Sequence, residues 1–545
     1  MKRLFLFCTL ATSIQESGLR FTHIPYKETH AFSQVVIDYL ENKETIQPLF
    51  QFGFDIKDIK AAIEKRPSFP VDRNLLYAVL KQQYASLSLS EKLNSNLELL
   101  QKENTFTICT AHQPNLLTGY LYFVYKIVHA ITLSEELNKQ FPEQNFVPVY
   151  YMGSEDNDLN ELGVFHFNNQ TFRWNANGQK GAVGRMKTES LQTILDDLFT
   201  ILGPPGKHCE ELKELLTTAY LQHETIASAT QFLVNEIFGK YGLIVLNPDD
   251  AQLKSAFKEI MNDDLLKHTA FNTNNNVTTN YKEQAFTRPV NLFYLNENLR
   301  ERIERKEDTW RVNNTSIQWT ETELLSELEQ HPERFSPNVI LRGLFQETIL
   351  PNIAFIGGGS EVAYWLQLKP LFEQHKVFFP SIHLRQSVLI INSTTQKKAA
   401  QLQLTIPELF LPEKLLETLL LERHAIVQDK LDLERKELSL LLNKLKEKAV
   451  AIDVTLNSSV DAVLTKMQYQ ISVLEKKMLR AEKRKISEQF TRLKKLKEEL
   501  YPSGILQERR TNFIPWFLQY GDGFIELLIA HFQPLLHEFL VIEED

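Results

Sequence analysis

Residues 106–131, FTICTAHQPNLLTGYLYFVYKIVHAI, constrain the fold more than any other stretch of this chain. The apolar run Phe106–Thr110 has the length and composition of a buried strand. A turn carrying Pro114 follows, and an amphipathic helix is expected from about Gly119. A strand that feeds a helix through a short turn is the opening of an α/β unit. His112 and Asn115 then sit at the strand's carboxyl end, facing the helix's amino end. In parallel sheets that edge takes ligands, because free N–H groups and the helix dipole favour phosphate or carboxylate. The plain alternative is a loop histidine that caps its own turn.

The pattern recurs. Strands are expected at Phe146–Met152, Gly242–Asp250 and Pro289–Leu295, and from Asn352, with helices between them. Strands alternating with helices predict a mostly parallel, doubly wound sheet. Residues 30–104 carry apolar positions at three- and four-residue spacing and read as a helical entry segment. Residues 163–187 and 270–335 read as insertions into the core. From 413 the character changes. Val427, Leu431, Leu438, Leu441 and Leu445 keep the 3/4 spacing, as do Val460, Leu464, Met467, Ile471, Leu474, Met478 and Ala481. Neither Gly nor Pro occurs in 425–500. An antiparallel helical pair or coiled coil is expected there, turning near Asp453–Ser459. The fold class is therefore α/β: a Rossmann-like parallel-sheet core with connecting insertions at 21–412, an α-helical coiled-coil arm at 413–500, and an aromatic-rich segment at 501–545 packing on the core.

With 545 residues the chain needs two or three cores. Hydrophobic residues make up 43% and charged residues 24%, the balance of a soluble globular protein. A net charge of −9 argues against a general nucleic-acid binder, which carries a basic footprint. The basic stretch KKMLRAEKRKISEQFTRLKKLK reads first as a solvated helix face. Cys8, Cys109 and Cys209 lack CxxC spacing, which points to a reducing, cytoplasmic compartment without structural zinc. Cys109 reads as a small buried thiol in a strand. Residues 1–20 pair Lys2 and Arg3 with an apolar stretch interrupted by threonines; they read as a ragged extension rather than a signal peptide. No apolar run approaches the ~20 residues that span a bilayer.

Four clusters lie at expected strand ends. The first is His112-Gln113-Pro114-Asn115 with Gly119. The second is Gly153-Ser154-Glu155-Asp156-Asn157-Asp158, whose acids could hold Mg²⁺, orient an amine or bind sugar hydroxyls, or could cap a helix. The third is Ser336-Pro337-Asn338 with Arg342 and Gln346; a planar guanidinium suits carboxylate or phosphate, and a surface ion pair is the bland reading. The fourth is Gly357-Gly358-Gly359-Ser360-Glu361, opening a helix with Tyr364, Trp365 and Gln367. Glycines let backbone N–H groups approach a ligand, or merely make a tight turn. The loop is neither a Walker A motif, lacking Lys-Ser/Thr, nor GxGxxG. No GxSxG, HExxH or kinase set occurs.

Together the blocks TAHQPNLLTGYLYFVYKI, VPVYYMGSEDNDLNEL, SPNVILRGLFQETILP, IGGGSEVAYWLQLKPLFE and GILQERRTNFIPWFLQYG resemble the bacillithiol biosynthesis cysteine-adding enzyme family, in order, from about Thr22 to the C-terminus. The family typically reads Gly-Gln-Gln where this chain has Ala111-His112-Gln113, and often Arg-Pro where it has Arg342-Gly343. The resemblance implies a Rossmann-like core and a coiled-coil arm that forms a homodimer. It also implies an amide-forming ligase that joins the carboxyl of cysteine to the amine of glucosaminyl-malate, with ATP or another nucleotide as the expected activator; Mg²⁺ is an option that the acids of the second cluster leave open. The core further resembles class I aminoacyl-tRNA synthetases, whose His-x-Gly-His element contacts nucleotide phosphates; His112 matches its first position and Asn115 its last. Leu384-Arg385-Gln386-Ser387 is a distant candidate for their second signature.

Amide formation needs an activated carboxyl, a free amine and a stabilised oxyanion. His112, Asn115, Glu155, Asp156 and Asp158 are the expected catalytic set. Gly119 and Gly357–Glu361 are expected on the nucleotide, and Asn338, Arg342, Tyr364 and Gln367 on the substrates; no resident metal site is expected. Two readings from other classes compete: a nucleotide- or tRNA-binding protein using the basic arm, and a scaffold whose coiled coil binds a partner.

Overall fold

Five short apolar runs build the central sheet: β1 (Thr105–His112), β2 (Asn145–Met152), β3 (Ile244–Leu246), β4 (Asn352–Gly357) and β5 (Ser381–Leu384). Nearly every residue of β1, β2 and β4 is buried, as expected for strands covered on both faces. The computed structural model describes residues 18–168, 170–274, 281–424, 431–485 and 487–544. Most of the 1–20 extension, Cys8 and Val427 lie outside the described residues. The chain divides into two units, Met1–Lys27 with Ala31–Leu389 and Leu506–Ile542, and Glu28–His30 with Ile390–Ile505 and Glu543–Asp545.

In the first unit the sheet order is β5-β4-β1-β2-β3. All four pairings are parallel, with His112 opposite Met152 and Gly357 opposite Leu384. The chain moves outward from β1 through β2 to β3, then returns to the other side of β1 for β4 and β5. The order therefore reverses between β1 and β4, which makes a crevice at their carboxyl ends. Helix α1 (Leu121–Gln140) joins β1 to β2. Helix α2 (Val339–Ile349) precedes β4, and α3 (Gly359–Gln374) joins β4 to β5. Ile108, Phe106, Ala130, Leu133, Phe146 and Ile356 form one core with Ile59 and Ile63 of the helical entry segment.

Several expectations change. Helix α1 is not amphipathic: Phe123–Ser134 are all buried, because other helices cover its outer side. The strand expected at Gly242–Asp250 keeps only Ile244–Leu246. The run Pro289–Leu295 does not enter the parallel sheet. Its strand, Leu292–Asn296, belongs to an antiparallel sheet with Leu299–Lys306, Thr309–Val312, Gln318–Trp319 and Phe335–Pro337. Residues 163–187 supply one hairpin, Val164–Phe167 with Gln170–Arg173, in which Phe165 stacks on Phe172 at 4.8 Å.

The second unit opens at Ile390 rather than 413. Helices Asp432–Ile452 and Leu456–Lys485 run antiparallel, tied by Arg435–Glu475 at 2.5 Å and Lys446–Asp461 at 2.6 Å. Leu431, Leu438, Leu464 and Ile471 are half-buried, whereas Leu441, Leu445, Met467 and Leu474 are exposed. Among the described residues no helix is long and apolar enough to cross a membrane.

Candidate functional site

The crevice between β1 and β4 opens into a cavity of about 350 Å³, within the range of small-molecule sites. Its lining includes His112 at the end of β1 and Gln113 after it, Gly153 after β2, Arg342 on α2, and Gly358, Ser360, Glu361 and Tyr364 at the start of α3. Tyr122, Lys126, Glu161, Arg385 and Arg509 complete the polar wall. Four cations against two carboxylates make a cavity suited to anions.

His112 ends β1. Its carbonyl accepts from Tyr150 Oη at 3.0 Å and from Gly153 N at 2.7 Å, which fixes the backbone. The ring sits 5.2 Å from Tyr122 and 5.4 Å from Phe123, and Nε2 has no partner among the described residues. Burial, then the Lys126 and Arg385 charges, push this imidazole well below its ordinary pKa. It is therefore a neutral hydrogen-bonding group at physiological pH.

Lys126 lies one turn into α1 and is 3% exposed. A buried ammonium is costly unless paired. Here Nζ donates to Ala111 O at 2.8 Å and pairs with Glu361 Oε2 at 2.5 Å. The same Glu361 oxygen accepts from Gly358 N at 2.8 Å. The amino end of α3, expected to cradle a nucleotide phosphate, is thus partly filled by the chain's own carboxylate. Arg385 is held by Glu508, a pair buried on both sides.

The acidic turn after β2 does not converge on the cavity as expected. Glu155 pairs with Lys254, which also meets Asp249 at 3.1 Å; Glu155 and Lys254 are buried. Burial raises the Glu155 pKa, against the Lys254 charge. Asp156 accepts from Arg342 at 2.6 Å and lies 3.6 Å from Arg300. Asp158 caps the short helix Leu159–Leu162 through Glu161 N at 3.2 Å. Each of these carboxylates is already engaged by a cation or a backbone N–H through one oxygen. Among the described residues no three His, Cys, Asp or Glu side chains could hold a metal ion.

Other expected residues also stay outside. Asn115 is buried beside the turn Leu117–Gly119, whose three residues all have positive φ. Its Oδ1 and Nδ2 have no partner among the described residues. Gly119 permits this turn, because a Cβ there would meet Asn115 at 2.8 Å. Gly357 ends β4 and accepts from Arg385 N at 2.8 Å; Gly359 packs on Phe32. Asn338 caps α2 through Ile340 N at 2.8 Å. Gln367 holds Gln284 N at 2.9 Å and Ala285 O at 2.7 Å, a structural clamp. Cys109 and Cys209 are buried free thiols.

Sequence reasoning missed Lys126, Glu161, Tyr122 and Arg509. Lys126 was legible as a lone charge within the apolar run of α1; the others carried no signal. Glu161 faces the cavity, and burial with the nearby Asp158 and Asp156 charges raises its carboxyl.

Fold and cavity together define a Rossmann-like α/β protein with an anion-accepting crevice at the reversal of its sheet order. Residues 19–386 match the family described as bacillithiol biosynthesis BshC, N-terminal Rossmann-like domain, and residues 388–544 match its C-terminal coiled-coil domain. The chain belongs to the bacillithiol biosynthesis BshC family. It is 40% identical to the "Putative cysteine ligase BshC" of Flavobacterium johnsoniae over 95% of this chain and 99% of that one. The protein of the same name from Flavobacterium psychrophilum is 39% identical over 95% and 99%, and that of Cytophaga hutchinsonii 34% over 96% and 98%. Among solved structures, a "putative arginyl T-RNA synthetase" from Campylobacter jejuni aligns at 10% identity over 84% of this chain and 98% of that one, with a TM-score of 0.23.

Proposed function

We propose that this protein is a cysteine ligase of bacillithiol biosynthesis that joins the carboxyl of L-cysteine to the amine of glucosaminyl-malate. The names of its full-length relatives support the reaction class. The observation that carries the reading is the cavity itself: an unpartnered His112 Nε2 and an exposed Glu161 among Lys126, Arg342, Arg385 and Arg509. An amino-sugar dicarboxylate carries one ammonium and two carboxylates, and the wall offers complementary groups for each.

The cationic wall binds and orients anionic oxygens. Glu161, with its raised carboxyl, receives the ammonium and can take its proton. His112, kept neutral, donates or accepts a hydrogen bond beside the reacting carbonyl without adding charge. Glu155, Asp156 and Asp158 act indirectly; Asp156 holds Arg342 in the wall. The wall's cations also fit the phosphates of ATP or another nucleotide, which when bound would supply carboxyl activation. We extend the proposal to a homodimer through the arm and to a cytoplasmic site of action.

Product analysis tests the reaction. The full chain is incubated with cysteine, glucosaminyl-malate and each nucleoside triphosphate in turn, with and without cell extract. The expected result is an amide product of the summed mass less one water, with at least one triphosphate. Absence of that product under every condition overturns the proposal.

A further inference from the structure

Three cations of the cavity wall are answered by carboxylates: Lys126 by Glu361, Arg342 by Asp156 and Arg385 by Glu508. Arg385 stands apart in how completely its far end is used. Nη1 donates to Glu508 Oε2 at 2.8 Å and Nη2 to Oε1 at 2.5 Å, and Nη1 also donates to Ser387 Oγ at 3.1 Å. Glu508 further accepts from Ser387 Oγ at 3.3 Å and Val388 N at 3.4 Å. The guanidinium cannot turn without breaking this set. Yet Nε is buried with no partner among the described residues, on a side chain that is 2% exposed. A buried charged donor left unsatisfied is expensive, and it calls for a partner such as a water, an ion or a ligand oxygen.

Gly358 adjoins Arg385 Nε, and both residues line the cavity. Its φ of −74° and ψ of 170° suit any residue, so the glycine is not required by the backbone. What its missing side chain leaves is room: a Cβ would lie 3.8 Å from Arg385 Nε and 3.4 Å from Glu361 Oε2. Glu361 lines the cavity as well.

We propose that Arg385 is an anion-binding residue of this cavity, its Nε–H reaching a carboxylate or phosphoryl oxygen of the ligand through the gap at Gly358, with Glu508 and Ser387 as positioning residues. The inference rests on the reading of the cavity as a substrate site and names which donor the substrate meets. The shared chemistry is an anionic oxygen. Its source is either the malate moiety of the acceptor or the phosphates of a nucleotide.

Two variants test this in the full chain, with thermal melts to verify folding. Gly358→Ala sets a methyl beside Nε at ordinary contact distances. Arg385→Lys keeps a charge but removes Nε–H. Binding of malate, glucosaminyl-malate, inorganic phosphate and ATP is measured by calorimetry. At least one probe should bind the unaltered protein and lose about ten- to a hundred-fold in affinity in both variants, the effect of one charge-assisted hydrogen bond. Loss with malate and its amino-sugar conjugate assigns the oxygen to the acceptor; loss with phosphate and ATP assigns it to the nucleotide. Equal affinities in folded Gly358→Ala and the unaltered protein overturn the proposal, as does binding of none of the four probes. If affinity falls as expected while no amide product forms, the anion seat stands and the ligase reading fails.

Discussion

At the scale of single residues, two groups of histidines are kept neutral for different ends. His112 has an unpartnered Nε2 in the cavity wall. Replacing it with alanine should cut turnover about 10²–10³-fold, the loss typical of one preorganised donor. Losing the ring's packing on Tyr122 and Phe123 should cost about 1–3 kcal/mol without unfolding the protein; steady-state kinetics beside a urea melt separates the two effects. His129, His383 and His537 instead pack as a row, the first two buried and His537 half-buried, with ring centroids 6.4 and 5.8 Å apart. Burial, reinforced by their mutual repulsion, pushes His129 down to about 3 and His383 well below its ordinary value; burial alone pushes His537 down to about 4. In the unfolded chain each takes up a proton near 6.5, and in the folded chain it does not. Their contribution to stability is therefore intact above pH 6.5 and is lost as pH falls below it. Glu347 and Asp264, both raised by burial to about 7, work in the opposite sense over the same window. The clean measurement is thus a difference. Between pH 6.5 and 5 the unaltered protein should lose about 2 kcal/mol more than His537→Asn, one imidazole's share at about 1.4 kcal/mol per pH unit. Urea melts at the two pH values read it, and parallel curves would refute the assignment.

At the scale of elements, the arm carries an unresolved tension between its two faces. Its inner residues Leu431, Leu438, Leu464 and Ile471 are only half-buried by the antiparallel partner, and Leu440, Leu441 and Leu474 are 62%, 56% and 50% exposed. A second copy would cover such a row by isologous pairing. Lysine at Leu440, Leu441 and Leu474 should shift the protein to monomer in light scattering, with little change in folding, since surface substitutions usually cost within ~0.5 kcal/mol. A triple variant that stays dimeric rules the arm out as the interface. The elements also show where sequence reasoning ends. β1, β2 and β4 were legible because their apolar runs are bounded by turn residues. The arm was legible because 3/4 spacing persists without Gly or Pro. Leu292–Asn296 was misassigned because an apolar run does not declare parallel or antiparallel pairing. The edge strand Ser381–Leu384 carries little signal: its polar–apolar alternation runs for only four residues.

At the scale of the whole molecule, the candidate site was half legible for the same reason. Residues directly after β1 and β4 follow from topology, and His112, Arg342, Gly358, Ser360, Glu361 and Tyr364 do meet in one cavity. The acids did not, because their partners Lys254, Arg300 and Arg342 lie about a hundred or more positions away, and one sequence does not reveal who neutralises whom. The farthest partners come from Leu506–Ile542. Glu508 neutralises Arg385, and Asn512 Nδ2 holds the carbonyls of Leu117 at 2.9 Å and Gly119 at 2.6 Å, clamping the left-handed turn beside Asn115. A chain cut after residue 505 leaves the Arg385 charge buried and unpaired, a loss of about 3–5 kcal/mol. It should be cleaved by dilute protease under conditions where the full chain is resistant, and equal resistance would refute the role given to this segment. The same geometry fixes a timetable. A ribosome delivers β1, β4 and Arg385 long before Glu508 and Asn512, so the nascent core waits with an uncompensated cation and a strained turn. An anion seat that depends on Arg385 would be complete only once Glu508 and Asn512 have been made.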